Sequence, residues 1–191
     1  MIQQPSPTVT VPTFQKPVTL KQGDAVLIRT ARISEVEDIR ALFEEEVRAG
    51  RMLPRSPHEM RAHINDWLVA EEDGAVIGCV SLVFFNDELC ELRSLAVAPE
   101  QQGRGLGLAL IGAAVELARL RGMRRVLSLT RAVELFERAG FRRDFLANFP
   151  QKVWRDCRPC PLRHRCDEVA LIYYLDNPPS TAATGGNGKH V

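Results

Sequence analysis

The segment 99–120 restricts the possible folds of this chain more than any other part of its sequence. It follows a run that is typical of a β-strand, Leu89–Val97, and it contains three glycines at alternate positions. The residues after these glycines have the spacing of a helix with one buried face. The glycines are Gly103, Gly105 and Gly107, and the apolar stripe is Leu106, Leu110, Ala113, Leu117 and Leu120. The segment therefore predicts a strand, a tight turn and a buried helix in succession.

A turn of this kind is suited to binding a phosphate group. The first N–H groups of a helix have no partner within it, the helix dipole is positive at this end, and glycine places no Cβ in the way. Two common phosphate fingerprints do not fit, however. The loop lacks the Lys-Ser/Thr pair of a P-loop, and its Gly-x-Gly-x-Gly spacing differs from the dinucleotide pattern Gly-x-Gly-x-x-Gly. The glycines alone fit a plain strand-to-helix turn equally well.

Hydrophobic periodicity along the rest of the chain predicts an α/β domain with a mixed sheet. The order of elements is β-α-α-β-β-β-α-β-α-loop-β, with hairpins early and a crossover through the glycine-preceded helix later. The predicted strands are 25–29, 67–71, 76–85, 89–97, 126–129 and 169–175, and the predicted helices are 36–47, a short one from residue 57, 105–121 and 132–139.

Composition separates the two ends of the chain from its centre. Residues 1–24 are rich in proline, and residues 177–191 are rich in small and polar residues, so both are predicted to be disordered tails. Residues 25–176 then form one domain of ordinary size. No apolar run approaches the roughly 18 residues that cross a bilayer, and the first 20 residues lack a signal-peptide pattern. We expect a cytoplasmic protein with no membrane partner.

Charge is unevenly distributed along the chain, although the formal net charge is only +1. Residues 25–100 contain 8 Lys or Arg and 15 Asp or Glu, whereas residues 101–165 contain 14 and 5. A basic second half attracts polyanions through its local field. A nucleic acid or a phosphorylated cofactor would fit, and a solvated basic face without a ligand is the alternative.

Two segments resemble a known family. Residues 92–110 (Leu92-Arg-Ser-Leu-Ala-Val-Ala-Pro-Glu-Gln-Gln-Gly-Arg-Gly-Leu-Gly-Leu-Ala-Leu110) resemble the acetyl-CoA signature of the GNAT N-acetyltransferase superfamily, in which a bulged strand ends in Val before a Gln/Arg-x-x-Gly-x-Gly/Ala loop. Residues 135–141 (Leu-Phe-Glu-Arg-Ala-Gly-Phe) resemble a later segment whose helix borders the cofactor thiol. The resemblance implies a mostly antiparallel mixed sheet flanked by helices, with a splayed acetyl-CoA cleft.

The same resemblance implies that acetyl-CoA is the co-substrate, which explains the basic half without a nucleic-acid partner. The implied contacts are Leu95, Ala96 and Val97 along the pantetheine, Gln102, Gly103, Arg104, Gly105, Leu106 and Gly107 at the pyrophosphate, and Phe136 near the thiol. In the pyrophosphate loop the backbone N–H groups of residues 104–107 are the implied donors, and the Arg104 side chain is expected to add a mobile cation.

Residues 148–170, with Glu91-Leu-Arg-Ser-Leu-Ala-Val97 and Leu129-Thr-Arg131, resemble the short, single-domain N-acetylglutamate synthases of bacterial arginine biosynthesis. This implies transfer of an acetyl group to the α-amino group of L-glutamate, or of L-glutamine, by direct attack in a ternary complex. The long synthases carry an additional amino-acid-kinase-like domain, for which we expect no room in 191 residues. Another small amine or a protein N-terminus as acceptor, or a CoA-binding regulator without turnover, are the alternatives, and a homodimer is compatible with the sequence.

Acyl transfer to an amine needs a base for the amine proton. Glu91 matches the position at which many members of the superfamily carry a general-base glutamate, and it would act through a water. A solvated carboxylate at a strand edge is the alternative. Many relatives carry a Tyr where Phe136 stands, and Phe has no proton to donate to the departing thiolate. Either the thiolate leaves unassisted, or Ser128 or Thr130 supplies the proton.

Glutamate has two carboxylates, which Arg or Lys side chains would bind. Arg93, two residues after Glu91 on the same predicted strand, is expected to share its face and is the first candidate. Arg131 is the second candidate, and Lys152 and Arg155 are the third.

Five cysteines in a chain that is expected to be cytoplasmic argue against a disulfide framework. Four soft ligands, Cys157, Cys160, His164 and Cys166, lie within ten residues and have a spacing that could hold zinc. The two-residue separation of His164 and Cys166, and the lack of a second Cys-x₂-Cys pair, favour reduced thiols without a metal.

Overall fold

The computed structural model describes residues 13–21 and 23–176, and within them eight strands form one sheet in the order β1-β2-β3-β4-β5-β6-β8-β7. The strands are β1 (Gln15–Thr19), β2 (Ala25–Thr30), β3 (Trp67–Glu72), β4 (Ala75–Phe84), β5 (Leu89–Val97), β6 (Arg125–Thr130), β7 (Arg142–Arg143) and β8 (Val169–Tyr174). Among the described strands, β5 and β6 are the one parallel pair, and all other neighbours are antiparallel. The predicted mixed sheet, mostly antiparallel, is confirmed.

Helices cover both faces of this sheet. They are α1 (Val36–Arg48), α2 (Pro57–Ala62), α3 (Leu106–Leu120) and α4 (Val133–Arg138). Leu106, Leu110, Ala113 and Leu117 of the α3 stripe are buried against one face, where Phe136 of α4 joins the same core. Leu120 was expected to be buried with them but is exposed at the end of the helix. Residues of α1 and α2 pack on the opposite face around Trp67. The right-handed crossover rule for parallel strands explains why a helix as apolar as α3 lies between β5 and β6 in the chain.

The strands β5 and β6 separate partway along their length. They pair from Leu89 with Arg125 as far as Glu91 with Leu127, and β5 then continues to Val97 with no partner on that side. Ser94, near the middle of the unpaired stretch, has a left-handed backbone with φ +54°, and the register between β4 and β5 shifts beside it. The result is a gap in the sheet between β5 and β6, which is the splayed cleft that the resemblance implied.

The predicted strands and helices all form, with boundaries within one residue of those expected. One prediction is wrong: β1 lies inside the supposedly disordered segment 1–24. It pairs with β2 along its whole length, and Phe14 and Leu20 on either side of it are buried in the main core. Its proline content concealed it, because Pro17 is tolerated in an edge strand that leaves one side unpaired. Residues 1–12 and 22 of that segment, and the tail 177–191, lie outside the described residues.

Two short elements were not predicted. The strand β7 has only two residues, and a helical segment 150–157 consists of Pro150–Lys152 followed by a π-helix, Val153–Cys157. Neither is long enough to show a hydrophobic period. In the described part of the chain, no helix combines the length and the apolar character needed to cross a membrane.

Candidate active site

A cavity of about 590 Å³ occupies the gap between β5 and β6. Its walls are formed by the residues of β5 and β6 that border the gap, by the loop that follows α1, by the start of α4 and by the segment 150–168. Most of the predicted site residues line it together: Glu91, Arg93, Leu95, Ser128, Thr130, Arg131, Phe136, Lys152, Arg155, Cys160 and Cys166. The glycine-rich loop, Ala96, Val97, Cys157 and His164 do not line this cavity.

The two sides of the cavity lie on opposite faces of the sheet. Side chains alternate along a strand, so Ser128 follows Val126 onto the face that α3 and α4 cover. Leu127 packs with Leu89 on the other face, and Glu91 shares the face of Leu89. The gap therefore connects a face with hydroxyl groups to a face with a carboxylate. Two reactants can reach each other through it without passing around the sheet.

Glu91 forms a buried ion pair. Only 2% of its side chain is exposed, and Lys152 Nζ lies 2.6 Å from its Oε1 and donates a hydrogen bond to its Oε2 at 2.9 Å. Lys152 also donates to Asp156 at 3.1 Å. Lys152 was a candidate for binding a substrate carboxylate, but its charge is neutralised inside the protein. The alternative interpretation of Glu91 as a solvated strand-edge carboxylate is wrong, because β5 is an internal strand here.

Arg55 is the cation of this cavity that sequence reasoning missed. Its Nε donates to Ser94 Oγ at 3.0 Å, and within the described residues no carboxylate lies within 4 Å of its guanidinium. Burial, followed by repulsion from Arg93, lowers the pKa of Arg55 to about 10. It lies in the connection 49–56 between α1 and α2, where no periodicity marks any residue. Arg55 and Arg93 thus lie close enough to repel each other, and the carboxylates of Glu91, Glu59 and Asp156 only partly oppose the lowering of the Arg55 pKa.

The predicted cations differ in how far they are neutralised. Arg93 has one distant partner, Glu59, at 3.4 Å, and shares the face of Glu91 as expected. Arg131 pairs with Asp167 at 2.6 Å and donates to the Arg51 carbonyl at 2.6 Å. Arg155 pairs with Asp156 at 3.1 Å and lies over the ring of Phe85. Of the four predicted cations, Arg93 has the weakest internal ion pair.

A second carboxyl group in the cavity was also missed. Glu168, which precedes β8, lines the same cavity, and burial raises its pKa above the ordinary value although Arg131 opposes the shift from 3.6 Å. A carboxyl group with a raised pKa is a better proton acceptor than an ordinary one. Glu168 is thus a second candidate for the base, and the chain gives no local signal for it.

On the other face, Phe136 and the two hydroxyl groups stand at the place where a leaving group would lie. Phe136 is buried and packs edge-on against Phe141 with the ring centres 5.1 Å apart. Thr130 Oγ1 accepts a hydrogen bond from the Ala132 N–H at 3.0 Å, and this bond fixes the start of α4. Ser128 is buried in the same wall, and among the described residues its hydroxyl forms no comparable hydrogen bond. Both hydroxyls remain candidate proton donors.

The glycine-rich loop leads from β5 into α3. Gly103 and Gly105 have left-handed backbones, with φ +79° and +92°, and Gly105 directly precedes the first residue of α3. Within the described residues no acceptor binds the N–H groups of residues 103–107. The Gln102 side chain donates to the Val97 carbonyl at 3.2 Å, which ties the loop to the end of β5. The loop therefore presents a row of free donors at the N-terminus of an apolar, buried helix.

The side chain of Arg104 does not behave as predicted. It was expected to be a mobile cation, but it donates to Glu72 at 2.7 and 3.0 Å and to Asp24 at 2.8 Å, and it also contacts Gln101. Hydrogen bonds to Glu72 and then Asp24 raise its pKa above the ordinary value. Arg104 thus anchors the loop to β2 and β3, and only its backbone N–H remains available.

We expect Gly105→Ala to weaken acetyl-CoA binding. An L-residue at φ +92° is strained by about 1 kcal/mol, and relief of this strain would turn the loop N–H groups away from their common direction. Steric clash is not the cause, since the nearest atom to the added Cβ would be Lys21 Cγ at 3.5 Å. The expected result is a severalfold higher KM for acetyl-CoA and a loss of about 1 kcal/mol in the free energy of unfolding.

Gly112→Ala is the matched control. Gly112 lies inside α3, is exposed and has nothing within 4 Å of its added Cβ, so alanine should raise stability by up to about 1 kcal/mol and leave KM unchanged. Thermal denaturation and steady-state kinetics measure both effects. An unchanged KM for acetyl-CoA in Gly105→Ala would contradict the assignment of this loop.

The cysteine-rich segment does not assemble a metal site. Among the described residues, no three His, Cys, Asp or Glu side chains come close enough together to hold a metal ion. Cys160 and Cys166 face the cavity, whereas Cys157 and His164 lie outside it. The other two thiols, Cys79 and Cys90, are buried, and burial raises the pKa of each to about 12. The residues present do not fit the zinc site that the spacing allowed.

The sequence profile of the acetyltransferase (GNAT) family matches residues 33–141. An uncharacterised N-acetyltransferase of Chlorobaculum tepidum is 38% identical over 148 residues, which are 78% of this chain and 96% of that protein. An amino-acid acetyltransferase of Mycobacterium tuberculosis is 33% identical over 119 residues, which are 60% of this chain and 67% of that protein.

Among solved structures, the N-acetylglutamate synthase of Neisseria gonorrhoeae in complex with coenzyme A and N-acetylglutamate has a TM-score of 0.70 to this chain at 29% identity. The match covers 78% of this chain and 35% of the synthase. The chain therefore spans about a third of the length of this synthase and of several curated amino-acid acetyltransferases.

Proposed function

The chain belongs to the GNAT acetyltransferase family and is an acetyltransferase that uses acetyl-CoA, and from this we propose that its acceptor is the α-amino group of a free amino acid, L-glutamate or L-glutamine. The observation that carries the proposal is the pair Arg55 and Arg93 beside Glu91, on the sheet face opposite the hydroxyl groups. The amino-acid acetyltransferase and the N-acetylglutamate synthase among its relatives support it. In this assignment the enzyme is cytoplasmic, and with L-glutamate as the acceptor it would catalyse the first step of arginine biosynthesis.

The two guanidinium groups would bind the α-carboxylate of the acceptor. Arginine donates in a planar fork that matches a carboxylate, and charge-assisted hydrogen bonds of this kind are among the strongest in proteins. Arg55 has no carboxylate partner to give up within the described residues, and Arg93 has only a long contact with Glu59. An amino acid held there by its carboxylate presents its amino group to the same face as Glu91.

On the other face, acetyl-CoA would place its pyrophosphate on the free N–H groups of the glycine-rich loop. Its pantetheine would run along the unpaired edge of β5, where Leu95 to Val97 have backbone groups without a strand partner on that side. This brings the thioester to the gap, next to Phe136, Ser128 and Thr130. Cofactor and acceptor then approach through opposite faces, which suits direct transfer in a ternary complex.

The reaction follows from this arrangement. The neutral amine attacks the acetyl carbonyl carbon, a C–N bond forms, and the C–S bond breaks. The proton that the amine loses passes to Glu91, directly or through a water. The CoA thiolate leaves unassisted or takes a proton from Ser128 or Thr130. Lys152 pairs with both Glu91 and Asp156 and holds the Glu91 carboxylate in place.

An acceptor panel tests the proposal. The full chain is incubated with labelled acetyl-CoA and with free amino acids, polyamines and peptides in parallel. Acetylation confined to amino acids, with glutamate or glutamine as a good acceptor, is the expected result. Turnover only with polyamines or peptides would show that the acceptor belongs to one of those classes and is not a free amino acid. Binding of acetyl-CoA with no acceptor acetylated would favour a CoA-binding regulator, for which the missing hydroxyl of Phe136 is the motivating feature.

A further inference from the structure

A second cavity of about 450 Å³ adjoins the acceptor end of the site and is called the side cavity below. It lies between α2 and the helical segment 150–157, over the end of β4. It shares four lining residues with the main cavity: Arg55, Arg93, Arg155 and Asp156. An amino acid whose carboxylate is bound by Arg55 and Arg93 therefore lies at the junction of the two cavities.

Where it is not shared, the lining of the side cavity is mostly apolar. Its apolar residues are Met60, Trp67, Leu82, Val83 and Phe84. Apart from the shared residues, its charged groups are the carboxylates of Glu59 and Asp66, with His63 beside them. Asp66 forms an ion pair with Arg121, and Glu59 lies 3.4 Å from Arg93. Beyond the shared arginines, none of the lining residues is a Lys or Arg that could receive another carboxylate.

Among the described residues, the main cavity likewise has no cation beyond Arg55 and Arg93 that is free to bind a second carboxylate. Its other cations already have partners: Arg51 pairs with Glu46 at 2.6 Å, Arg131 with Asp167 at 2.6 Å, Lys152 with Glu91 at 2.6 Å, and Arg155, which lines both cavities, with Asp156 at 3.1 Å. The pair Arg55 and Arg93 thus accounts for one carboxylate of the acceptor. A second carboxylate, in the side chain, would displace an existing ion pair or enter a cavity with Glu59 and Asp66 in its wall.

We propose that the side cavity is the subsite for the acceptor side chain, and that it selects a long uncharged side chain, such as that of glutamine or methionine, over the carboxylate of glutamate. The proposal rests on the proposed function, in which the acceptor is a free amino acid. Each methylene of the acceptor side chain that is buried against apolar walls should raise kcat/KM roughly fourfold. The acidic rim disfavours a second negative charge through repulsion at short range in a partly desolvated site.

The test compares kcat/KM for glutamine, glutamate, methionine and alanine. For the unmodified chain we expect glutamine to exceed glutamate, and methionine to exceed alanine, by about tenfold or more each. Val83 lines the side cavity but not the main cavity, so Val83→Phe fills part of the subsite. We expect this variant to reduce the methionine-to-alanine ratio about tenfold, with alanine turnover reporting that the enzyme is folded.

Glu59→Gln provides a second variant at an exposed position that does not bear on folding. It removes one negative charge from the rim, and the glutamine-to-glutamate ratio should fall severalfold. A ratio that favours glutamate in the unmodified chain, or ratios unchanged in both variants, would overturn the subsite. Equal turnover of alanine and methionine overturns it while leaving the amino-acid acceptor intact, whereas a chain that acetylates no free amino acid fails on the proposed function itself.

Discussion

Glu91→Gln is expected to lower kcat by about 10²-fold or more, within the range for the loss of a general base. The amide is nearly the same size but cannot take the proton from the attacking amine. Steady-state kinetics over a pH series measures the effect. Glu168→Gln is the matched control, because Glu168 is the second carboxyl group in the same cavity. If the large loss appears in Glu168→Gln, and Glu91→Gln keeps its kcat and its pH–rate profile, then Glu168 is the base.

The same change also has a predictable effect on stability, which must be separated from catalysis. The Lys152 side chain is only 10% exposed, and it would keep Asp156 but lose Glu91. Breaking a buried ion pair costs about 3–5 kcal/mol when the remaining charge has no other partner, so a smaller loss is expected here. Adding Lys152→Met to Glu91→Gln removes the unpaired charge. This double variant should regain stability in denaturant unfolding while its kcat stays low.

Arg55→Ala is expected to raise the KM for the amino-acid acceptor by about 10- to 100-fold, as fits one lost hydrogen-bonded charge pair of about 1.5–3 kcal/mol. The KM for acetyl-CoA should not change, because Arg55 lies on the acceptor face. Arg55→Lys keeps the charge but loses the planar fork. Its KM for the acceptor should therefore lie between that of the unmodified chain and that of Arg55→Ala. The thermal midpoint should stay the same or rise, since a half-buried cation that is repelled by Arg93 is removed.

Arg51→Ala is the control for this prediction. Arg51 lies at the rim of the same cavity, but its guanidinium is bound by Glu46 at 2.6 and 2.8 Å. Its removal should leave the KM for the acceptor within about twofold. A higher KM for acetyl-CoA in Arg55→Ala, with the acceptor KM unchanged, would show that Arg55 serves the cofactor and that the acceptor site has been misplaced.

The fold could be predicted from the sequence to a large extent. The stripe of α3, the glycines before it and the apolar runs of β4 and β5 are local patterns, and each one has a single structural solution that buries its apolar side chains. The strand β1 could not be recognised from the sequence. It lies at the sheet edge, and its few apolar residues are mixed with Lys16 and Pro17, which are not typical of a strand. The glycine-rich loop was found because free backbone donors depend on residue type and position, not on distant partners.

The candidate site divides in another way. Glu91 and Arg93 were expected on one face because a strand alternates by two, and the register of β5 places them there. Arg104, Lys152 and Arg131 were expected to meet ligands, but each forms ion pairs inside the protein. Much of the excess positive charge of residues 101–165 likewise pairs with the acidic first half, as Arg121 does with Asp66 and Arg124 with Glu88. The uneven distribution of charge along the chain thus reflects ion pairs between its acidic and basic halves as well as any bound polyanion.

The sequence by itself determined the fold class, the glycine-rich loop and the strand that carries Glu91, because these depend on periodicity and on residues close together in the chain. Only the tertiary structure decided which charged groups remain available for substrate. Lys152 meets Glu91 across 61 residues, and Arg104 meets Glu72 across 32. Whether a charge is neutralised depends on the distance and burial of its partner, and neither is encoded near it in the chain. For this reason Arg55, which no sequence pattern marks, is the central residue of the proposed acceptor site.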